Sequence, residues 1–180
     1  MLEDRLLVWK LKRGETGALQ TIYEKYKNDL LALAIALSND RSTAEDVVHD
    51  VFVSFAEFAD RLRLRVSLRS YLLTCVANRV RNLSKTKHRQ LLQLTKTETI
   101  TSDEHTPAES AMSAENARRI RTALARLSYE QREVIILHLM SDMRFRAIAE
   151  TQSVSIGTVQ SRYRYGLDKL RTLLDSEAEE

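Results

Sequence analysis

The stretch IAETQSVSIGTVQSRYRYGLDKLRTLL, Ile148 to Leu174, reads as two helices joined by a tight turn. Ala149 is small, as a close crossing of two helices requires. The turn falls near Ser153, and Val159 supplies an apolar anchor for the second helix. Ser155 is a natural N-cap, because its hydroxyl can accept from an orphan amide of the first turn. Ser155, Thr158, Gln160, Ser161, Arg162 and Arg164 then lie early in that second helix. This is where a helix lodged in the major groove meets base edges and phosphates. The pattern points to duplex DNA as a ligand, and to regulation rather than metabolism, with Arg162 first among the candidate base contacts.

The composition agrees with helices. The chain has 180 residues, 43% hydrophobic, with 4 Gly and 1 Pro. So few turn formers argue against sandwiches and barrels and for an all-α protein. The net charge of +3 is modest, but between Asp60 and Arg89 nine basic residues face one acid, a local excess of +8. Such a field attracts polyanions more strongly than the total charge implies. The lone Cys75 excludes an internal disulfide and a cysteine-based zinc site. The segment MLEDRLLVWKLKRGE lacks the continuous apolar core of a signal peptide, and no later run is long enough to span a bilayer. A cytoplasmic location and no membrane insertion are expected.

Working back from the helix-turn-helix, Ser128-Tyr129-Glu130-Gln131 is a capping box opening a helix with Val134, Ile135, Leu137, His138 and Leu139. Thr106-Pro107-Ala108-Glu109 starts the helix before it, expected to run to Leu127. These make a compact four-helix C-terminal unit. Thr95 to Thr106 is rich in Thr, Ser and acids and reads as a linker.

In the N-terminal half, a short amphipathic helix over Leu2–Lys12 stops near Gly14. A second begins near Thr16 and carries Ile22, Tyr26, Leu30, Leu33 and Leu37 at three-and-four spacing. It ends in the cluster Ser38-Asn39-Asp40-Arg41. Ser42-Thr43-Ala44-Glu45 has the form of a capping box, with Ser42 as N-cap of a helix reaching Phe58. Arg61 to Ser67 reads as a basic loop, followed by a helix over Leu68–Lys87. At about 100° per residue, Leu72, Val76, Val80 and Leu83 fall on one face of it. Thr74, Asn78, Arg81, Lys85 and Arg89 fall on the other, a polar stripe of one charge sign.

Enzymatic motifs are absent. The chain has no P-loop, no glycine-rich dinucleotide turn and no nucleophile elbow. Its four histidines are widely separated. Asp46 and Asp50, one helical turn apart, read as a solvent or partner face rather than a metal site. No catalytic residue, metal or cofactor is expected.

Two blocks now combine. The first is AEDVVHDVF (Ala44–Phe52) with SYLLTCVANRVRNLSKTKHR (Ser70–Arg89). The second is ALARLSYEQREVIILHL (Ala123–Leu139) with IAETQSVSIGTVQSR (Ile148–Arg162). Their order and spacing resemble the extracytoplasmic-function group of the sigma-70 family, the bacterial transcription initiation factors. The resemblance implies a region 2-like domain over residues 1–92, a linker over 93–107 and a region 4-like domain over 108–175. It implies that Asp46, His49, Asp50 and Phe52 dock on core RNA polymerase. Arg61, Arg63, Arg65, Asn78, Arg79, Arg81 and Lys85 would serve the −10 element and its melting. The helix-turn-helix would read the −35 element. An anti-sigma factor is a possible further partner, and the free protein is expected to be a monomer.

The chain departs from the family pattern in places. His49 stands where Gln is usual, Ser153 where Gly is usual, Gln152 where Leu is usual, and Tyr71 where Trp is common. The alternative readings are a stand-alone helix-turn-helix regulator, which leaves the first block without a purpose, and a protein-interaction adaptor, whose DNA binding would lack salt dependence.

Overall fold

With so few glycines and prolines to interrupt them, the described residues are helical except at caps and connecting turns. The computed structural model describes residues 2–64, 66–93 and 111–176. Two compact units are present, Met1–Thr97 and Glu98–Glu180.

The first unit contains α1 (Leu2–Lys12), α2 (Thr16–Ser38), α3 (Arg41–Glu57), a 3₁₀ turn (Ala59–Arg61) and α4 (Leu68–Gln93). Gly14 follows α1 at φ +79°, a conformation open to glycine without a Cβ penalty. α2 ends where the turn cluster predicts. Asn39 adopts the left-handed conformation at φ 55°, and its N–H reaches the Ile35 carbonyl at 2.8 Å.

The start of α3 differs from expectation. Asp40, not Ser42, is the N-cap, and its carboxylate accepts from the Thr43 N–H at 2.8 Å. Ser42 lies inside the first turn, and Glu45 pairs with Arg41 instead of reaching back. The backbone turned at Asn39 already places Asp40 in the extended conformation that an N-cap needs. α4 runs past Lys87 to Gln93, because no glycine or proline ends it.

α2 is the hub, packed against α3 and α4, while α1 crosses α2 and reaches the 3₁₀ turn. Ile22, Leu30, Leu33 and Leu37 of α2 meet Val47 of α3 and Leu72, Leu73 and Val76 of α4 in the core. Each such side chain contributes about 1.5–3 kcal/mol on burial. Leu83, expected on the same face, is only half-buried.

The second unit contains α5 (Ala111–Ala125), α6 (Tyr129–Ser141), α7 (Phe145–Gln152) and α8 (Ile156–Ser176). α5 stops two residues short of Leu127, which is buried in the turn. Ser128 caps α6 as expected, accepting from the Gln131 N–H at 3.3 Å. Leu139 is 58% exposed, so it lies outside the apolar face that the sequence suggested. α8 packs against α5, α6 and α7. Ala149 and Val159 are both buried in the helix-turn-helix. The linker expected over Thr95–Thr106, the helix start at Thr106-Pro107 and Arg65 lie outside the described residues.

Candidate nucleic-acid interface

Ser155 and Thr158 shape the start of α8. The Ser155 hydroxyl accepts from the Thr158 N–H at 3.0 Å and lies 2.9 Å from the Thr158 hydroxyl. The turn before it is closed by Ser153 at φ 56°, ψ 45°, with the Val154 N–H bonded to the Ala149 carbonyl at 3.0 Å. Serine therefore adopts a left-handed conformation that ordinarily favours glycine.

Along α8, Gln160, Ser161 and Arg164 are exposed, while Arg162 is only half-exposed. The Arg164 guanidinium lies 4.9 Å from the centroid of the Tyr165 ring. Arg162 is held: one of its terminal nitrogens donates to the Gln152 side-chain carbonyl at 2.7 Å. The Gln152 amide in turn donates to the Glu133 carboxylate at 2.7 Å. The leading candidate for base contact is thus tethered to its own domain by one nitrogen while its side chain stays half-exposed.

Behind the helix-turn-helix, His138 of α6 packs on Phe145 of α7 with ring centroids 4.5 Å apart and meets Tyr163 of α8 edge-on at 5.1 Å. Its Nδ1 lies 2.9 Å from the Met143 carbonyl. This cluster joins the three helices at the back of the motif.

In the first unit, Asp46 and His49 are exposed on α3 and Asp50 is half-exposed. Phe52 differs from the docking role expected for it. It is 6% exposed and meets the Tyr23 ring edge-on at 4.9 Å. Helical periodicity carries it from the surface face of Asp46, His49 and Asp50 into the core, so it supports that face from behind.

The basic segment is partly neutralised by its neighbours. Arg79 of α4 pairs with Asp50 of α3. Arg69 donates to Asp29 of α2 at 2.7 Å. Arg81 donates to the Asn78 side chain at 2.8 Å. Arg61, Arg63 and Lys85 are exposed. Asn78, Arg79, Arg81 and Lys85 follow one another along α4, with Arg61 and Arg63 on the segment that precedes it. Among the described residues, no three His, Cys, Asp or Glu side chains gather as a metal site.

The two blocks match known families separately. A model of Sigma-70 region 2 matches residues 22–90, and a model of Sigma-70 region 4 matches residues 117–170. The chain belongs to the extracytoplasmic-function group of the sigma-70 family. It is a transcription initiation factor that directs RNA polymerase to promoters, and not an enzyme.

Relatives of this sigma factor extend over nearly its whole length. SigW of Bacillus subtilis is 23% identical over 92% of this chain and 93% of its own. CnrH of Cupriavidus metallidurans is 24% identical over 98% and 96%. The solved structure of RpoE from Bartonella quintana, in complex with the anti-sigma factor NepR, is 26% identical. It covers 87% of this chain and 98% of its own at a TM-score of 0.72. CnrH in complex with the cytosolic domain of CnrY shares the fold, at 23% identity and a TM-score of 0.69.

Several features of this sigma factor were missed from the sequence. Asp4 on α1 is nearly buried and accepts from Lys25 at 2.9 Å and from Tyr26 at 2.7 Å. Burial alone raises its carboxyl, but those two donors outweigh it and hold the group below the usual range. Burial, helped by the Asp4 carboxylate, pushes the Tyr26 phenol up to about 12. Lys12 caps the basic loop by donating to the Leu62 carbonyl at 2.7 Å. Glu133, 1% exposed, is a buried carboxylate in an otherwise apolar run of α6. Its one visible signal is a charged residue inside EVIIL. Cys75 packs beside Tyr71, and burial raises its thiol. No helix among the described residues is long and apolar enough to cross a membrane.

Proposed function

We propose that the two units divide promoter recognition between them: residues 1–92 dock on polymerase and open the −10 element, residues 93–107 link, and residues 108–175 read the −35 element. The observation that carries this reading is the pairing of a capped helix-turn-helix, with Gln160, Ser161 and Arg164 exposed, with a separate basic helix. The exposed Asp46 and His49 and the half-exposed Asp50 form the polymerase-facing side. Arg61, Arg63, Asn78, Arg79, Arg81 and Lys85 serve the displaced strand. A basic groove suits that task, because extruding a base costs a few kcal/mol that backbone contacts must offset. Ser155, Thr158, Gln160, Ser161, Arg162 and Arg164 serve the −35 duplex.

The chain works in the cytoplasm as a monomer until it meets polymerase. An anti-sigma protein holds it inactive, a reading supported by the RpoE–NepR complex. The test is run-off transcription with bacterial core polymerase on a pool of promoter fragments, with and without the chain. Discrete start sites that require the chain are expected. No new start sites, with no co-elution with core, would overturn the reading.

A further inference from the structure

The link from Glu133 through Gln152 to Arg162 spans the helix-turn-helix and ends on its recognition helix. Each member comes from a different helix: Glu133 from α6, Gln152 from the end of α7, Arg162 from the second turn of α8. The origin is a buried carboxylate, which also lies 3.4 Å from the Tyr129 hydroxyl. The middle is an amide with a donor and an acceptor, so it can relay a direction between a carboxylate and a guanidinium. A guanidinium has five N–H donors in a rigid fork. Holding one terminal nitrogen from the protein side fixes the plane of the fork while leaving further donors for a ligand.

We propose that Gln152 is a specificity-determining positioning residue: it touches no DNA itself, but orients the Arg162 guanidinium so that Arg162 discriminates at the −35 element. This inference rests on the assignment of α8 to −35 reading. The physical reason is entropy. A long arginine side chain free in solvent has many rotamers, and ordering it at an interface costs conformational entropy. A side chain already fixed by Gln152 has met much of that cost in the free protein. It also cannot swing to satisfy a mismatched base pair.

The test uses holoenzyme reconstituted from the full chain and bacterial core polymerase, transcribing promoter fragments randomised across the −35 element, with transcript sequencing as readout. Gln152→Leu and Gln152→Met, which keeps the length but not the hydrogen bonds, are each expected to lose about tenfold of discrimination, near the low end of what a bidentate arginine contact carries. The loss falls at the base pairs whose preference Arg162→Ala also erases. Gln152→Leu combined with Arg162→Ala is expected to be no worse than Arg162→Ala alone, as for two residues acting through one contact. Glu133→Gln, which keeps an acceptor for the Gln152 amide, is expected to retain most of the preference. Should Gln152→Leu fail to fold because it strands the Glu133 charge, Glu133→Gln with Gln152→Leu carries the same test without that charge.

An equal fall on every −35 sequence, with unchanged preference, would overturn the proposal and reduce the link to a structural tie. Additive losses in the double variant would do the same. If Arg162→Ala itself leaves the preference unchanged, Arg162 does not read the element and the assignment of Arg162 fails together with the relay. If Arg162→Ala erases the preference but Gln152→Met does not, only the relay fails.

Discussion

Arg79 on α4 is paired with Asp50 on α3, which couples α3 to the basic helix α4 through one ion pair. Both side chains are about half exposed, 52% for Arg79 and 47% for Asp50. Exposed pairs of this kind contribute about 0–1 kcal/mol, and salt weakens them. The pair therefore matters less for stability than for where the two side chains point. Asp50→Asn is expected to leave the melting temperature nearly unchanged and to weaken co-elution with core polymerase. Arg79→Ala is expected to preserve core binding and to slow opening of the promoter, read by permanganate footprinting of the −10 region. Equal loss of core binding in both variants would contradict the division of roles.

His49 and Phe52 separate surface from core on a single helix. Phe52 is buried against Tyr23, so Phe52→Ala is expected to destabilise the first unit by about 3–5 kcal/mol. His49 is exposed, and His49→Ala is expected to change stability by less than about 0.5 kcal/mol. Its effect is expected on polymerase affinity alone. Urea unfolding and polymerase titration of both variants check this, and a stable Phe52→Ala protein would refute the core assignment.

Gly166 and Gly157 lie on the same helix but make opposite demands. A Cβ at Gly166 would fall 2.9 Å from Ile135 Cδ1 and 3.2 Å from Gln131 Cβ, where α8 crosses α6. Ile135 can turn its terminal methyl, but the Gln131 Cβ is fixed to the backbone of α6. Gly166→Val is expected to destabilise the second unit by about 1–3 kcal/mol through overpacking. At Gly157 the nearest atom to a Cβ is the Ser155 hydroxyl at 3.8 Å, so there is room. Gly157→Ala is expected to stabilise α8 by less than the roughly 0.8–1 kcal/mol of a helix interior, because Gly157 lies in the first turn. Thermal unfolding of both variants decides, and equal effects would place the α6–α8 contact elsewhere.

The Asp4, Lys25 and Tyr26 cluster makes the first unit sensitive at both ends of the pH scale. Asp4 titrates below its ordinary value in the fold, so its stabilisation is complete above the unfolded carboxyl range near 3.8 and is lost as pH falls through the lower folded value. Tyr26 is raised to about 12, so its contribution is complete below about 10 and is lost as pH rises from there to about 12. Lys25 is raised too, chiefly by hydrogen bonds to Glu3 and Asp4, and acts in the same direction at alkaline pH. Asp4→Asn is expected to cost about 1.5–3 kcal/mol at neutral pH, typical of a lost hydrogen bond to a charged group. It is also expected to flatten both limbs of the stability profile. Chemical unfolding from pH 3 to pH 11 measures it, and unchanged limbs in Asp4→Asn would remove the cluster as their source.

Helix positions in this chain were legible because local features dictate them. Apolar spacing marks α2, the scarcity of glycine and proline leaves α4 unbroken, and Ser128 and Ser155 cap as their hydroxyls allow. The all-α class and the family resemblance follow from the same local patterns, and so does the positive excess between Asp60 and Arg89. Tertiary structure decided what those residues meet. Asp50 and Asp29 come from α3 and α2 to neutralise Arg79 and Arg69, which a count along the chain cannot anticipate. Arg162 is held because Gln152 and Glu133 stand in line behind it. Periodicity assigns a side chain to a face of its own helix. Only the packing of several helices determines whether that face finds a core, an opposite charge or open solvent.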